Sequence, residues 1–353
     1  MKMRRLFITA LLAMGYAAGS MAQNEPVTQG STYFLPRTAL RMTMLVEKTT
    51  YTPGEYAKYA EKYLKRTDIS MEPSVRYRIT GMKLTSYGVP DSTKEYTAKI
   101  DAKHSIRTIN RDENGVLLAV NATPRTIKQP KAFVPAPKAA PLNPKDYMSA
   151  EILAAGNSAK TAELCAQEIY EIRESKGLLT KGQADFMPKD GEQLRIMLKN
   201  LDTQEAALTQ LFEGVTVKDT VEKVITYIPT KEVNKELLFR FSQKLGFTDN
   251  DDLAGKPYFI TIEDLQSIPT IQTTVEDSKK VKDNAGIYVN LPGKISITLH
   301  REESVWGGYE LYAAQFGRTE ALSGNLFGKK YSTSLVLNPV TGNVESINTE
   351  VIK

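Results

Sequence analysis

Apolar positions alternate with polar ones from Leu40 through Met42 and Met44 to Val46, the two-residue period of a strand with one buried face. A helical period takes over after Thr52-Pro53-Gly54-Glu55. There Thr52 is placed to cap free amides, Pro53 has no amide to leave unpaired, and Glu55 completes a capping box. Tyr56, Tyr59, Ala60 and Tyr63 recur on one face while Lys62, Lys65 and Arg66 crowd the negative end, which predicts an amphipathic helix of about three turns. Strand-like segments return at Tyr77 to Leu84, Tyr96 to Ile100, Ser105 to Asn110 and Val116 to Asn121, with Asn114-Gly115 as a hairpin signal between the last two.

Six prolines from Pro124 to Pro144 then interrupt all periodicity and favour an extended strap. Beyond it, Ala162, Cys165, Ala166, Ile169 and Ile172 form a helical stripe predicted to close at Gly177. A second helix is predicted from Asp190, a cap with Gln193 at the third position, through Leu194, Met197, Leu198, Leu201, Leu208 and Phe212 to Gly214. The two should pack as an antiparallel hairpin, with Glu205 opposite Lys160. After Gly214 the pattern is again that of strands: Val215 to Ile228, Leu237 to Phe241, Tyr258 to Ile262, Ile287 to Leu291, Ile295 to His300, Tyr309 to Phe316, Leu335 to Asn338 and Val344 to Val351. Asn338-Pro339-Val340-Thr341-Gly342 reads as the closing turn.

This order predicts an α+β fold: two antiparallel β-rich portions separated by a Pro-rich linker and a helical hairpin. The expected boundaries are a β-rich domain with one short helix at 23–123, a basic linker at 124–145, the hairpin at 146–214 and a second β-rich domain at 215–353.

Residues 1–22 have a different composition. Lys2, Arg4 and Arg5 precede an apolar run from Leu6 to Ala18 and the small-residue end Ser20-Met21-Ala22, the pattern of a signal peptide cleaved before Gln23. The expectation is export to the periplasm, the outer surface or the medium. Gln23 is not a lipid-attachment cysteine, and no second apolar run reaches the roughly 20 residues of a membrane span. The formal net charge is +5, of which the leader supplies three cations and no acid, leaving +2 on the mature chain. That balance is unlike a nucleic-acid binder, and the cations Arg125, Lys128, Lys131, Lys138 and Lys145 fall in one acid-free stretch.

Little catalytic equipment is legible. His104 and His300 are the only histidines, which excludes a three-histidine zinc site and HExxH, and no GxSxG, P-loop or GxGxxG is present, so no metal or cofactor is expected. Cys165, the only cysteine, lies on a buried stripe and reads as a small hydrophobe. Asp249, Asp251 and Asp252 lack the spacing of a calcium loop. Two candidate sites remain. The loop Gly177 to Lys189 carries Asp185, Met187, Pro188 and Lys189, and Asp185 with Asp190 is one possible acid/base pair for carbohydrate cleavage, against the plainer role of capping and locking the loop. Trp306-Gly307-Gly308-Tyr309 sets the only tryptophan beside a flexible turn, suited to stacking on a sugar, anchoring a partner, or packing at a sheet edge.

Three strings carry a family resemblance: Tyr51-Thr52-Pro53-Gly54 with Tyr56-Ala57-Lys58-Tyr59-Ala60; Ala184-Asp185-Phe186-Met187-Pro188-Lys189-Asp190-Gly191-Glu192; and Gln315-Phe316-Gly317 followed by Leu322 and Leu326-Phe327. In these the chain resembles a secreted family of Bacteroidetes bacteria, the domain of unknown function numbered four-eight-three-one, over most of its mature length. The resemblance implies export in a Gram-negative cell and supplies no activity, so no catalytic residue is carried over. The leading expectation is a non-catalytic binding or scaffolding module of the cell envelope whose partner is a glycan or an envelope protein. The alternatives are a carboxylate-based hydrolase of glycans and assembly through exposed sheet edges.

Overall fold

Strand β2 (Ser31–Thr52) is the spine of the molecule. Its alternating Leu40, Met42, Met44 and Val46 are all buried, each worth about 2 kcal/mol in apolar area removed from water. In this computed structural model, which describes residues 23–26, 30–100, 104–126, 131–138, 140–269 and 284–352, β2 runs between β3 (Ser74–Ala98) and β6 (Val215–Tyr227) in a three-stranded antiparallel sheet. The leader read at residues 1–22 lies outside the described residues. The two strands expected at 77–84 and 96–100 are one element. Pro36 pairs with Pro90 beside a register shift, an irregularity that absorbs the missing amides without ending either strand.

A five-stranded antiparallel sheet of order β11-β10-β9-β7-β8 packs against this one. Its strands are β7 (Val233–Ser242), β8 (Gly246–Thr248), β9 (Lys256–Asp264), β10 (Asn284–Arg301) and β11 (Ser304–Ser323). Ile260, Ile262, Ile295, Ile297 and Leu299 share a core with Leu40 and Met42, and Phe239, Phe241 and Tyr258 share the next with Met44 and Val46. The segments read at 287–291 and 295–300 fuse across a shift between Leu291 and Gly293.

The third sheet runs β1 (Gln23–Pro26), β4 (Thr108–Arg111), β5 (Leu117–Val120), β12 (Tyr331–Leu337) and β13 (Val344–Val351). Both predicted turns are in place. Asp112 accepts from Asn114 N and Val116 N between β4 and β5, and Asn338 accepts from Val340 N and Thr341 N between β12 and β13. The α+β, β-rich class holds, but strands of 23–123 and 215–353 share two of the three sheets, through β2 with β6 and β5 with β12. Alternation marks the face of a strand and leaves its partner open.

The helices are α1 (Ala60–Leu64), α2 (Ala150–Leu153), α3 (Ser158–Lys181) and α4 (Gly191–Glu213). Tyr56, Ala60, Cys165, Ile169, Leu208 and Phe212 form their common core. Three expectations are corrected here. The helix read from Thr52 starts later, as a tight turn at Ala57–Tyr59 before α1, because Gly54 presses on the backbone of Leu211 and Tyr56 N donates to Leu211 O at 2.7 Å. α3 passes through Gly177, where a side chain would meet nothing within 4 Å, and closes at Gly182 in the left-handed conformation (φ +68°). Glu205 pairs with Arg173 (2.6 Å) and Lys176 (2.8 Å), while Lys160 pairs with Glu163 on its own helix. The hairpin register therefore sets Glu205 nearer the far end of α3 than the pattern suggested.

Burial opposes ionisation of Glu205, yet hydrogen bonds from Lys176 and Arg173 win and hold its carboxyl below the usual carboxylate range. A depressed folded pKa stabilises at pH values above the unfolded value of about 4.3 and is lost as pH falls through the folded one. Glu205→Gln is therefore expected to cost less than about 1 kcal/mol at pH 7, since Arg173 is solvated, and that cost shrinks as pH falls through the folded pKa. Urea midpoints of both proteins from neutral to acid pH check this; a gap that does not narrow as pH falls refutes it.

Of the Pro-rich stretch, residues 131–138 form neither helix nor strand, and Lys138 pairs with Asp219 of β6. Farther on, Gln210 of α4 donates to Leu142 O at 2.9 Å.

Candidate functional site

The edge strand β3 meets the five-stranded sheet where Tyr77 N donates to Gln243 O at 2.8 Å. A cavity of about 460 Å³ opens at this junction. The three-stranded sheet contributes Arg76 and Arg78 from β3, Glu47 and Thr49 from β2 and Lys218 from β6; the other sheet contributes Lys256 and Arg301. Tyr77, Phe241, Tyr258 and Trp306 supply an aromatic lining. The charged lining is thus five cations against one carboxylate. Arg78 and Lys218 lie 3.2 and 3.9 Å from Glu47, and Lys256 lies 3.1 Å from Glu302. The guanidiniums of Arg76 and Arg301 make no ion pair among the described residues, which leaves two rigid-fork donors suited to carboxylate, sulfate or phosphate.

Trp306 is held in place from behind. Its ring stands edge-on to Tyr258 at 5.0 Å and to Phe239 at 6.3 Å, and Tyr258 stacks on Phe239 at 4.5 Å, a braced arrangement that fixes the indole. Burial pushes the Tyr258 phenol up, partly offset by the Arg301 charge, so the hydroxyl keeps its proton near neutrality. The arrangement can hold an anionic ligand that also has an apolar face.

Of the sequence-derived candidates, Trp306 lines this cavity and Tyr309 does not. Tyr309 sits in the adjoining core with its hydroxyl 3.5 Å from the Met82 sulfur. Asp185, Lys189 and Asp190 lie exposed on the connection between α3 and α4 and line neither cavity described here. Asp190 accepts from Gln193 N at 2.8 Å, the capping bond its position predicted, and Lys189 N donates to the Gln193 side chain. Nothing in this geometry assembles Asp185 and Asp190 into an acid/base pair. Sequence reasoning missed Arg76, Arg78, Lys218, Lys256 and Arg301. The one available signal was Arg76-Tyr77-Arg78, two cations flanking an aromatic at strand spacing.

A second cavity of about 430 Å³ is lined by Leu291, Pro292, Tyr312, Asn338, Thr341 and Asn343 among others and carries no charged residue among the described residues. Asn338 and Thr341 spend hydrogen bonds on the β12–β13 turn itself. His300 lies near the end of β10, its Nε2 3.1 Å from Thr261 Oγ1. No group of three metal-ligating side chains occurs among the described residues, and Asp252 is engaged in capping Ala254 N.

Cys165 is fully buried, and burial, with Glu168 and Glu55 adding to it, pushes its thiol up to about 11. The folded protein is therefore expected to resist aromatic disulfide reagents at pH 8 and to react stoichiometrically in denaturant. Fast labelling of the native state refutes this.

No curated protein and no solved structure matches the chain. A family model described as Domain of unknown function (DUF4831) matches residues 29–345, which is most of the chain, and the protein belongs to that family.

Proposed function

We propose that this is an exported, non-catalytic binding module of the cell envelope that takes an anionic ligand in the cavity between the two packed sheets. The observation that carries the reading is the lining itself: Arg76 and Arg301, without ion-pair partners among the described residues, beside a braced Trp306. Export is supported by the basic, apolar and small-residue order of the first twenty-two residues. The hydrolase reading loses its support, because Asp190 serves as a helix cap and its loop lines neither cavity.

Trp306 is the only tryptophan, so emission of the mature protein reports on this cavity directly. Small and polymeric anions are expected to shift that emission at low ionic strength and to lose the effect as salt screens the contacts. Arg76→Gln combined with Arg301→Gln is expected to weaken binding by about tenfold or more with unchanged circular dichroism. Emission that no anion alters overturns the reading, and native protein isolated with Met1 in place of Gln23 overturns the export.

A further inference from the structure

We infer that the protein pairs with a second copy of itself through β6, by antiparallel strand addition that joins the three-stranded sheets of the two copies into one. The inference goes beyond ligand binding in the cavity and does not depend on it. β6 ends the order β3-β2-β6, and all thirteen of its residues pair with β2 in unbroken register. Its outward amides and carbonyls are therefore a straight template for another strand. The other end of the sheet, β3, is interrupted by two register shifts and meets the five-stranded sheet through Tyr77. β6 has no shift, proline or glycine, features that commonly blunt an edge. Val215, Val217 and Val224 are exposed along it, and Val221 at its midpoint is 56 % exposed.

The strand is complementary to its own reverse, which identifies the occupant. With Val221 opposite Val221 of the other copy, a two-fold axis between them sets Val217 against Ile225, Val215 against Tyr227 and Asp219 against Lys223, each of these three pairs occurring twice. Alternation places all of them on one face of the joined sheet. On the other face Thr216 meets Thr226, and Lys218 lies diagonal to Glu222. Moving the axis by one residue toward either end sets Lys223 against Val217 or Glu222 against Glu222, so charge and apolar matching select the central register. Edge lysines usually repel an incoming strand, whereas Lys223 here meets an acid. In the single copy Lys138 holds Asp219. Both side chains are partly solvated, so exchanging that pair for Lys223 of the other copy costs little. Among the described residues no backbone hydrogen bond from the Pro-rich stretch covers β6.

The test is sedimentation of the mature protein across a concentration series, where monomer is expected to give way to dimer. Asp219→Lys and Lys223→Asp each set like charges against one another twice, and each is expected to weaken association by about tenfold or more. An equimolar mixture of the two variants restores opposite charges at both places and is expected to recover the dimer. Register is read separately with Val221→Cys, since the native Cys165 is buried. Air oxidation is expected to link Val221→Cys into a dimer about tenfold faster than Thr216→Cys, whose thiols lie far from the axis. Monomer at every concentration overturns the inference and leaves the edge to a strand of another protein. A dimer that survives both charge substitutions, a mixture that stays monomeric, or equal oxidation of the two cysteine variants overturns it as well.

Discussion

Asn290→Leu is expected to lower the unfolding free energy by about 3 kcal/mol or more, although leucine fills nearly the same volume. Asn290 is fully buried. Its amide nitrogen donates to Pro36 O and to Thr341 O, each at 2.9 Å, and its oxygen accepts from Lys94 Nζ at 3.1 Å and Thr319 Oγ1 at 3.0 Å. Both N–H donors and both lone pairs are used, so one side chain ties β2, β3, β11 and the β12–β13 turn to β10. Leucine leaves two carbonyls, a hydroxyl and an ammonium without that partner, and each orphaned buried group costs about 1–3 kcal/mol. Lys94 makes the loss worse. Burial already pulls its pKa down against the attraction of Asp91, so the ammonium depends on Asn290 for solvation. Asn290→Asp, which keeps the acceptors and turns an oxygen toward Pro36 O and Thr341 O, is expected to destabilise as well. Urea unfolding measures both; a loss below about 1 kcal/mol for Asn290→Leu contradicts this account of the hub.

That hub was invisible in the sequence, where Asn290 falls inside the strand expected at Ile287 to Leu291 and nothing sets it apart. What was legible is local. The alternation of Leu40 to Val46, the Asp190 cap, the two turns and the buried stripe through Cys165 all depend on residues within a few positions of one another. What was not legible is partnership across tens or hundreds of residues. Arg76 and Arg78 acquire meaning only when β6, β9 and β10 bring Lys218, Lys256 and Arg301 beside them. Strand lengths were cut short because prolines and glycines that normally punctuate strands here occupy register shifts.

The family strings illustrate the same division, since their residues turn out to be joints between elements. Gln315 acts as a substitute strand edge: its Oε1 accepts from Thr38 N at 2.9 Å while its Nε2 donates to Thr38 O at 2.8 Å and to Pro229 O at 2.6 Å, stitching the two packed sheets together. Gly54 lets the loop after β2 lie against the last turn of α4. Such residues are recognisable as a pattern in sequence, but their task is contact between distant backbones.

Gly317→Ala tests the tightest of these joints and is expected to cost about 3 kcal/mol, the upper part of the range for overpacking a closed site. A methyl group at 317 overlaps the Leu291 carbonyl oxygen and crowds Gly293 N, so the clash is with backbone and no side-chain rotamer relieves it. Gly293 meets Phe316 in the same way from the opposite strand, which means that β10 and β11 touch backbone to backbone at the shift between Leu291 and Gly293. Relief requires the strands to separate there, and the adjoining pairs from Gly293 with Ala313 to Leu299 with Gly307 hold the hairpin that carries Arg301 and Trp306. Gly308→Ala is the matched control: it lies on the same strand, its added methyl meets nothing within 4 Å, and it is expected to shift stability by less than about 0.5 kcal/mol. Thermal and urea unfolding of the pair separate loss of room from loss of glycine's backbone freedom. Equal destabilisation by both substitutions contradicts the close-approach account, whereas a loss confined to position 317 locates the constraint at the crossing of the two strands.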